Sequence, residues 1–135
     1  MLVQEEFILS IDQRHLSNLE YPLIKEGLRD CQIDAIMNLE NSFAMSRPRS
    51  LIQMATGSGK TFTAVSFVYR LIKYVGAKRI LFLVDRKTLG AQAHTAFQQY
   101  ITSDDGRKFT ELYNVQHLTT NAIDPVNKVV ITTIH

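Results

Sequence analysis

Residues 51–61, LIQMATGSGKT, constrain the fold more than any other stretch of this 135-residue chain. An apolar run breaks into two closely spaced glycines, and a lysine and a threonine follow at once. Residues 51–54 read as a short strand, the glycines as a turn, and residues 60–74 as a helix closed by Gly76 as a C-cap would close it. Such a strand, turn and helix N-terminus make an anion site, because backbone N–H groups converge there and the helix dipole adds about half a positive charge. Gly57 and Gly59 let the backbone wrap closely around phosphate oxygens, with Thr56 and Ser58 completing the loop. Lys60 supplies a mobile charge for β and γ phosphates, and the Thr61 hydroxyl is placed to ligate Mg²⁺. The formal pattern is Gly-x-x-x-x-Gly-Lys-Ser/Thr, and Met54 stands at its first position. The competing reading is a glycine turn with an incidental lysine.

The flanking sequence fixes the fold class. From Arg29 onward Ile33, Ile36, Met37, Glu40 and Phe43 fall at helical spacing, all but Glu40 apolar, and residues 46–50 end that helix. In the helix after the loop, Thr63, Ser66, Arg70 and Lys73 are expected on the polar side. RILFLVD, residues 79–85, reads as a continuous apolar strand buried on both faces of a parallel sheet. A helix with Leu89, Ala93, Phe97 and Tyr100 on one face follows. Residues 102–108 read as a loop, 109–116 as another strand, and 128–134 as a further apolar strand. Strands alternating with helices predict an α/β fold, a parallel sheet with helices on both faces and ligands at the strands' carboxyl ends, where Met54, Asp85 and Thr133 lie. Residues 1–27 lack periodicity, contain Pro22 and Gly27, and read as an irregular lead-in or linker.

Composition narrows the class. Apolar residues at 45% and charged residues at 21% suit a folded globular domain. The single cysteine, Cys31, excludes an internal disulfide framework and suits a reducing compartment. The N-terminus carries acids where a secretory signal needs bases, and no apolar run approaches the ~20 residues of a membrane span, so a cytoplasmic location without membrane contact is expected. A net charge of +2 permits nucleic-acid contact without predicting it.

The MATGSGKT loop, with LRDCQIDAI (28–36) before it and ILFLVDRKTLGAQA (80–93) and VVITTIH (129–135) after it, resembles the superfamily 2 helicase-like motors. Among them it is most similar to the R (restriction and translocase) subunit of type I restriction-modification enzymes, and LVDRKTLGAQA points to that subfamily. The resemblance covers residues 28–135 and implies the N-terminal part of the first RecA-like P-loop NTPase lobe, with ATP and Mg²⁺ as cofactors. It implies that Gln32 reads the adenine edge, since a side-chain amide both donates and accepts; a polar residue near a helix start is the plainer alternative. Cys31 replaces the family's usual aromatic residue. By resemblance Arg86, with Lys87 beside it, lies along the nucleic-acid track, and Thr132 and Thr133 touch the tracking strand. Bases on a solvated helix start, or threonines favoured in a strand, are the plainer alternatives.

In such motors an Asp-Glu pair at the end of a later strand coordinates Mg²⁺ and activates water, and the chain has no such pair. After Glu111 its one acid is Asp124, before Pro125. A second motor lobe and a nuclease domain are absent too. The expectation is therefore a RecA-like fragment, incomplete on its C-terminal side, that binds nucleotide weakly and turns it over poorly. Its parent would be an ATP-dependent type I site-specific deoxyribonuclease, with double-stranded DNA and the methylation and specificity subunits as partners. The alternatives are a fragment of another superfamily 2 DNA helicase of repair or remodelling, or a non-hydrolysing nucleotide-binding module.

Overall fold

The computed structural model describes residues 22–134 together with the backbone of Glu5–Ser10. The chain forms two compact units, Met1–Gly76 and Ala77–His135. The predicted elements are distributed between them, with instructive differences.

In the first unit, strand β1 (Glu5–Ser10) pairs antiparallel with β2 (Arg49–Met54), Phe7 standing opposite Ile52. β1 falls within the segment expected to be an irregular lead-in. Between the strands comes helix α1 (Asp30–Ala44), and after β2 comes helix α2 (Lys60–Arg70), continued by a π-helical turn over Leu71–Val75. The Gly76 N–H closes that turn by donating to the Leu71 carbonyl, and Gly76 adopts φ 77°, as the expected C-cap glycine should.

Ile36, Leu39 and Phe43 of α1 are buried, as are Val65, Phe67 and Val68 of α2, and the Phe43 and Phe67 rings lie 5.9 Å apart. Met54, at the end of β2, is buried as well, so the side chain that departs from the formal glycine pattern is a core residue. Of the expected polar side of this helix, Lys73 is exposed but the other three residues are not. Thr63, Ser66 and Arg70 are all buried. Arg70 is neutralised by a hydrogen-bonded ion pair with Glu40 of α1, and the Thr63 hydroxyl donates to the Gly59 carbonyl. Buried polar groups persist when partnered in this way.

The second unit holds a three-stranded parallel sheet of order β3–β5–β4, from β3 (Ile80–Val84), β4 (Val115–His117) and β5 (Val129–Thr133). Helix α3 (Lys87–Gln99) packs against all three strands. Ala93, Phe97 and the following Tyr100 are buried, as their spacing predicted. Phe97 meets the Phe82 ring edge-on at 5.6 Å. The parallel sheet and its α/β composition agree with the predicted fold class, although β2 pairs with β1 and belongs to the other unit.

Two expectations change here. β3 is covered on one face only: Phe82 and Val84 are half-buried, whereas Leu81 and Leu83 are 58% and 54% exposed. Residues 109–116 are not one strand. Phe109, Leu112 and Tyr113 recur at three-and-four spacing, so the chain makes a single helical turn, α4 (Phe109–Leu112), before β4. Phe109 is fully buried in a ring cluster, 5.1 Å from Phe97 and 5.4 Å from Tyr113, and this anchors the turn.

Candidate functional site

The residues that carry the site follow β2. Gly57 and Gly59 have φ of 80° and 81°, while Ser58 and Lys60 between and after them stay out of the left-handed region. Left-handed glycines one residue apart, just before a helix N-terminus, are the backbone geometry that lets successive N–H groups turn toward an anion. Gly59 is also the N-cap of α2, so the loop leads onto the helix's positive end. Gly57 faces open space: a β-carbon built there meets nothing within 4 Å. Lys60 is only 8% exposed, and Thr61, next on the helix, is half-buried with no hydroxyl hydrogen bond among the described residues. The open cradle, lysine and hydroxyl fit a Mg-bound polyphosphate.

The first turn of α1 holds this loop from behind. Gln32 is buried, its Oε1 accepting from the Arg29 backbone N–H at 2.9 Å and its Nε2 donating to the Gly59 carbonyl at 3.2 Å. The Arg29 guanidinium donates to the Gly57 carbonyl at 2.8 Å, and the Cys31 thiol lies 3.9 Å from the Ser58 carbonyl. The Gly59 carbonyl also accepts from the Thr63 N–H at 3.0 Å and its hydroxyl at 2.8 Å. Ser58 donates its N–H and its hydroxyl to the Ala55 carbonyl, tightening the turn before Gly59. A groove of about 760 Å³ between α1 and β2, lined in part by Asp34, Asn38 and Gln53, reaches the loop at Ala55 and Ser58. That volume lies within the range of small-molecule sites.

The family resemblance brought Gln32 into view, and the loop's own residues the cradle, each separately. Their direct connection was not anticipated, nor was any role for Arg29. One signal was available: an arginine immediately before a helix, with a glutamine three residues later, is the spacing of a capping box without a capping side chain at its first position.

In the second unit, Arg86 and Lys87 open α3 and are exposed. Arg86 Nε lies 3.9 Å from Asp85 Oδ2, with both side chains largely in solvent, so the pair adds little stability. Thr132 and Thr133 close β5 and are half-buried; they stand beside Leu83 and Val84 of β3 in the parallel register. Arg86 and the two threonines thus share one end of the sheet, where the strands' carboxyl ends lie. Among the described residues no cluster of three His, Cys, Asp or Glu side chains forms a metal site. No helix among them is long and apolar enough to cross a membrane.

Comparison with known proteins agrees with this arrangement. The family model described as type III restriction enzyme, res subunit, matches residues 25–135. The chain is 39% identical over 108 residues to the type I restriction enzyme EcoKI endonuclease subunit of Escherichia coli K12, a match covering 80% of this chain and 9% of that protein. It is 38% identical over 88 residues to the EcoAI endonuclease subunit of Escherichia coli, covering 62% of this chain and 11% of that one. UvrABC system protein B of Leptospira biflexa is 31% identical over 83 residues, covering 62% and 12%. No solved structure matches the chain. The matches thus span about a tenth of the length of these curated relatives. With its loop, parallel sheet and matched residues taken together, the chain belongs to the type III restriction enzyme res-subunit family, as a segment of a superfamily 2 helicase-like motor similar to the type I endonuclease subunits.

Proposed function

We propose that the chain is the ATP-binding part of an ATP-dependent DNA translocase subunit of a type I restriction endonuclease. The observation that carries this reading is the loop with left-handed Gly57 and Gly59 leading into Lys60 at the start of α2. Thr56, Gly57, Ser58 and Gly59 shape the cradle, and backbone N–H groups and the Lys60 ammonium hold the β and γ phosphates. The Thr61 hydroxyl ligates Mg²⁺, which neutralises charge on those phosphates when bound. Gln32 has one amide hydrogen and one carbonyl lone pair left after its bonds to Gly59 and Arg29, enough for a base edge.

Binding without efficient hydrolysis is the expected activity of this sequence alone, because it contains no Asp-Glu pair after a strand to position metal and water. In the second unit Arg86, Thr132 and Thr133 contact the phosphate backbone of double-stranded DNA. Hydroxyl and guanidinium contacts of that kind position a duplex without reading its sequence. The methylation and specificity subunits of a restriction complex are the protein partners, and the cytoplasm is the compartment. The similarity to UvrABC system protein B supports a second reading, a superfamily 2 helicase of DNA repair. A nucleotide-binding module that does not hydrolyse ATP is the third.

Titration calorimetry of the chain with Mg-ATP tests the cradle. Lys60→Ala should abolish binding, since it removes the principal phosphate cation, and unchanged affinity would sink the assignment. The parent sequence separates the motor readings from the module, because a motor requires an Asp-Glu pair within the next apolar strand.

A further inference from the structure

Arg29 occupies a position where arginine is a poor choice. It is the N-cap of α1, with extended backbone at φ −77° and ψ 156°, and makes no side-chain cap. An N-cap is best filled by a side-chain oxygen that accepts from the first free N–H groups, and arginine has only donors. The positive end of the helix dipole also repels a cation. The helix start is instead completed by Gln32, which accepts from the Arg29 N–H, and by Asp30 in the first turn. A local rule broken in this way marks a residue kept for another task.

The task is visible in the hydrogen bonds. The carbonyls of three successive loop residues, Gly57, Ser58 and Gly59, face the Arg29 guanidinium, the Cys31 thiol and the Gln32 amide. Because a trans peptide directs its N–H opposite to its C=O, holding these carbonyls from behind sends the following N–H groups the other way. The Arg29 bond is the shortest of the three, at 2.8 Å, and the one that carries a formal charge.

We propose that Arg29 is a positioning residue for the phosphate loop, its guanidinium fixing the Gly57 peptide so that the loop is shaped for polyphosphate before nucleotide arrives. This deepens the reading of the loop as a nucleotide cradle and rests on it for its consequence, but the ordering of the loop itself does not. A preorganised loop binds more tightly because less ordering remains to be done on binding. Arg29 touches a carbonyl here, so its action on phosphate is indirect.

The test uses Arg29→Ala and Arg29→Lys in the full chain, with two readouts. Amide hydrogen exchange without nucleotide should rise across residues 55–61 in Arg29→Ala while the interior of α2 stays protected, and Arg29→Lys should partly restore the wild-type pattern. Affinity for Mg-ADP by calorimetry should fall about fivefold to tenfold in Arg29→Ala, by nearly the same factor at low and high salt. A loss that vanishes at high salt would instead mean direct charge contact with phosphate and would overturn the proposal. So would exchange in residues 55–61 that matches wild type. If Lys60→Ala leaves Mg-ADP affinity unchanged while Arg29→Ala still loosens the loop, the cradle reading fails and the structural role of Arg29 stands.

Discussion

Gln32 and Gly59 fit together so closely that each determines what the other position tolerates. Gln32 Nε2 donates to the Gly59 carbonyl at 3.2 Å, and a β-carbon on Gly59 would overlap that same nitrogen. Glycine is thus favoured by its φ of 81°, and any β-carbon there would also push the Gln32 amide aside.

Gly59→Ala is expected to lose Mg-ATP affinity and to lower stability by about 1–2 kcal/mol from the left-handed backbone alone. Adding Gln32→Ala removes the overlap but not the φ penalty. It also removes the bonds of Gln32 to Arg29 and Gly59, so the comparison is a cycle: Gly59→Ala should cost less in the Gln32→Ala background than in wild type, as read from urea denaturation midpoints. If Gly59→Ala costs the same in both backgrounds, the overlap is not a source of the loss.

The ion pair between Arg70 and Glu40 is buried, the two side chains being 7% and 12% exposed. Arg70→Met strands the Glu40 carboxylate and should destabilise the first unit by about 3–5 kcal/mol. Replacing both, as Arg70→Met with Glu40→Leu, should return most of that loss, because no uncompensated charge remains. Chemical denaturation of wild type, Arg70→Met, Glu40→Leu and the double variant completes a double-mutant cycle.

His94 of α3 titrates below its ordinary value of 6.5, first because burial disfavours its charged form and then because a protonated His117 repels it. The rings of the two histidines lie 5.8 Å apart. Since the folded chain binds this proton less readily than the unfolded chain, the unfolded state takes up more protons below pH 6.5. The stability contributed by neutral His94 is present above that pH and is lost as pH falls through the lowered folded value. Urea midpoints measured from pH 7.5 down to 5 should decline, and His94→Gln should flatten the decline.

Gly90 of α3 leaves room for His117 of β4, because a β-carbon there would lie 2.9 Å from His117 Nε2. Gly90→Ala alone should destabilise the second unit even though alanine is the better helix former by ~1 kcal/mol. In a His117→Ala background the same change should become stabilising. A reversal of sign in thermal unfolding would identify the ring, and not the helix backbone, as the obstacle.

Where a side chain's local spacing and its burial point the same way, the fold was legible in the sequence. The start of α2 at Lys60, the C-cap at Gly76 and the apolar face of α3 through Ala93 and Phe97 follow from patterns within a few residues. The burial of Thr63 and Arg70 was not legible, because it depends on partners elsewhere: Glu40 lies thirty residues from Arg70, and Thr63 bonds a carbonyl in the preceding loop. The turn at Phe109 was overlooked because its aromatic and β-branched neighbours favour strands, while its i, i+3, i+4 spacing favours a helix. At the candidate site the loop residues announced themselves by type. Arg29 did not, since its role exists only once Gly57 stands opposite it.

The strand order β3–β5–β4 has a consequence for the newborn chain. β5 follows both of its neighbours in sequence yet is the strand to which each of them pairs. During synthesis at about 5–20 residues per second, β3 therefore emerges seconds before residues 129–133 can complete its ladder. For that interval β3 presents a strand edge beside the exposed Leu81 and Leu83, a combination that invites pairing with other chains. The second unit's sheet cannot assemble progressively behind the ribosome: it waits for its central strand, and the waiting strand is the one most in need of protection.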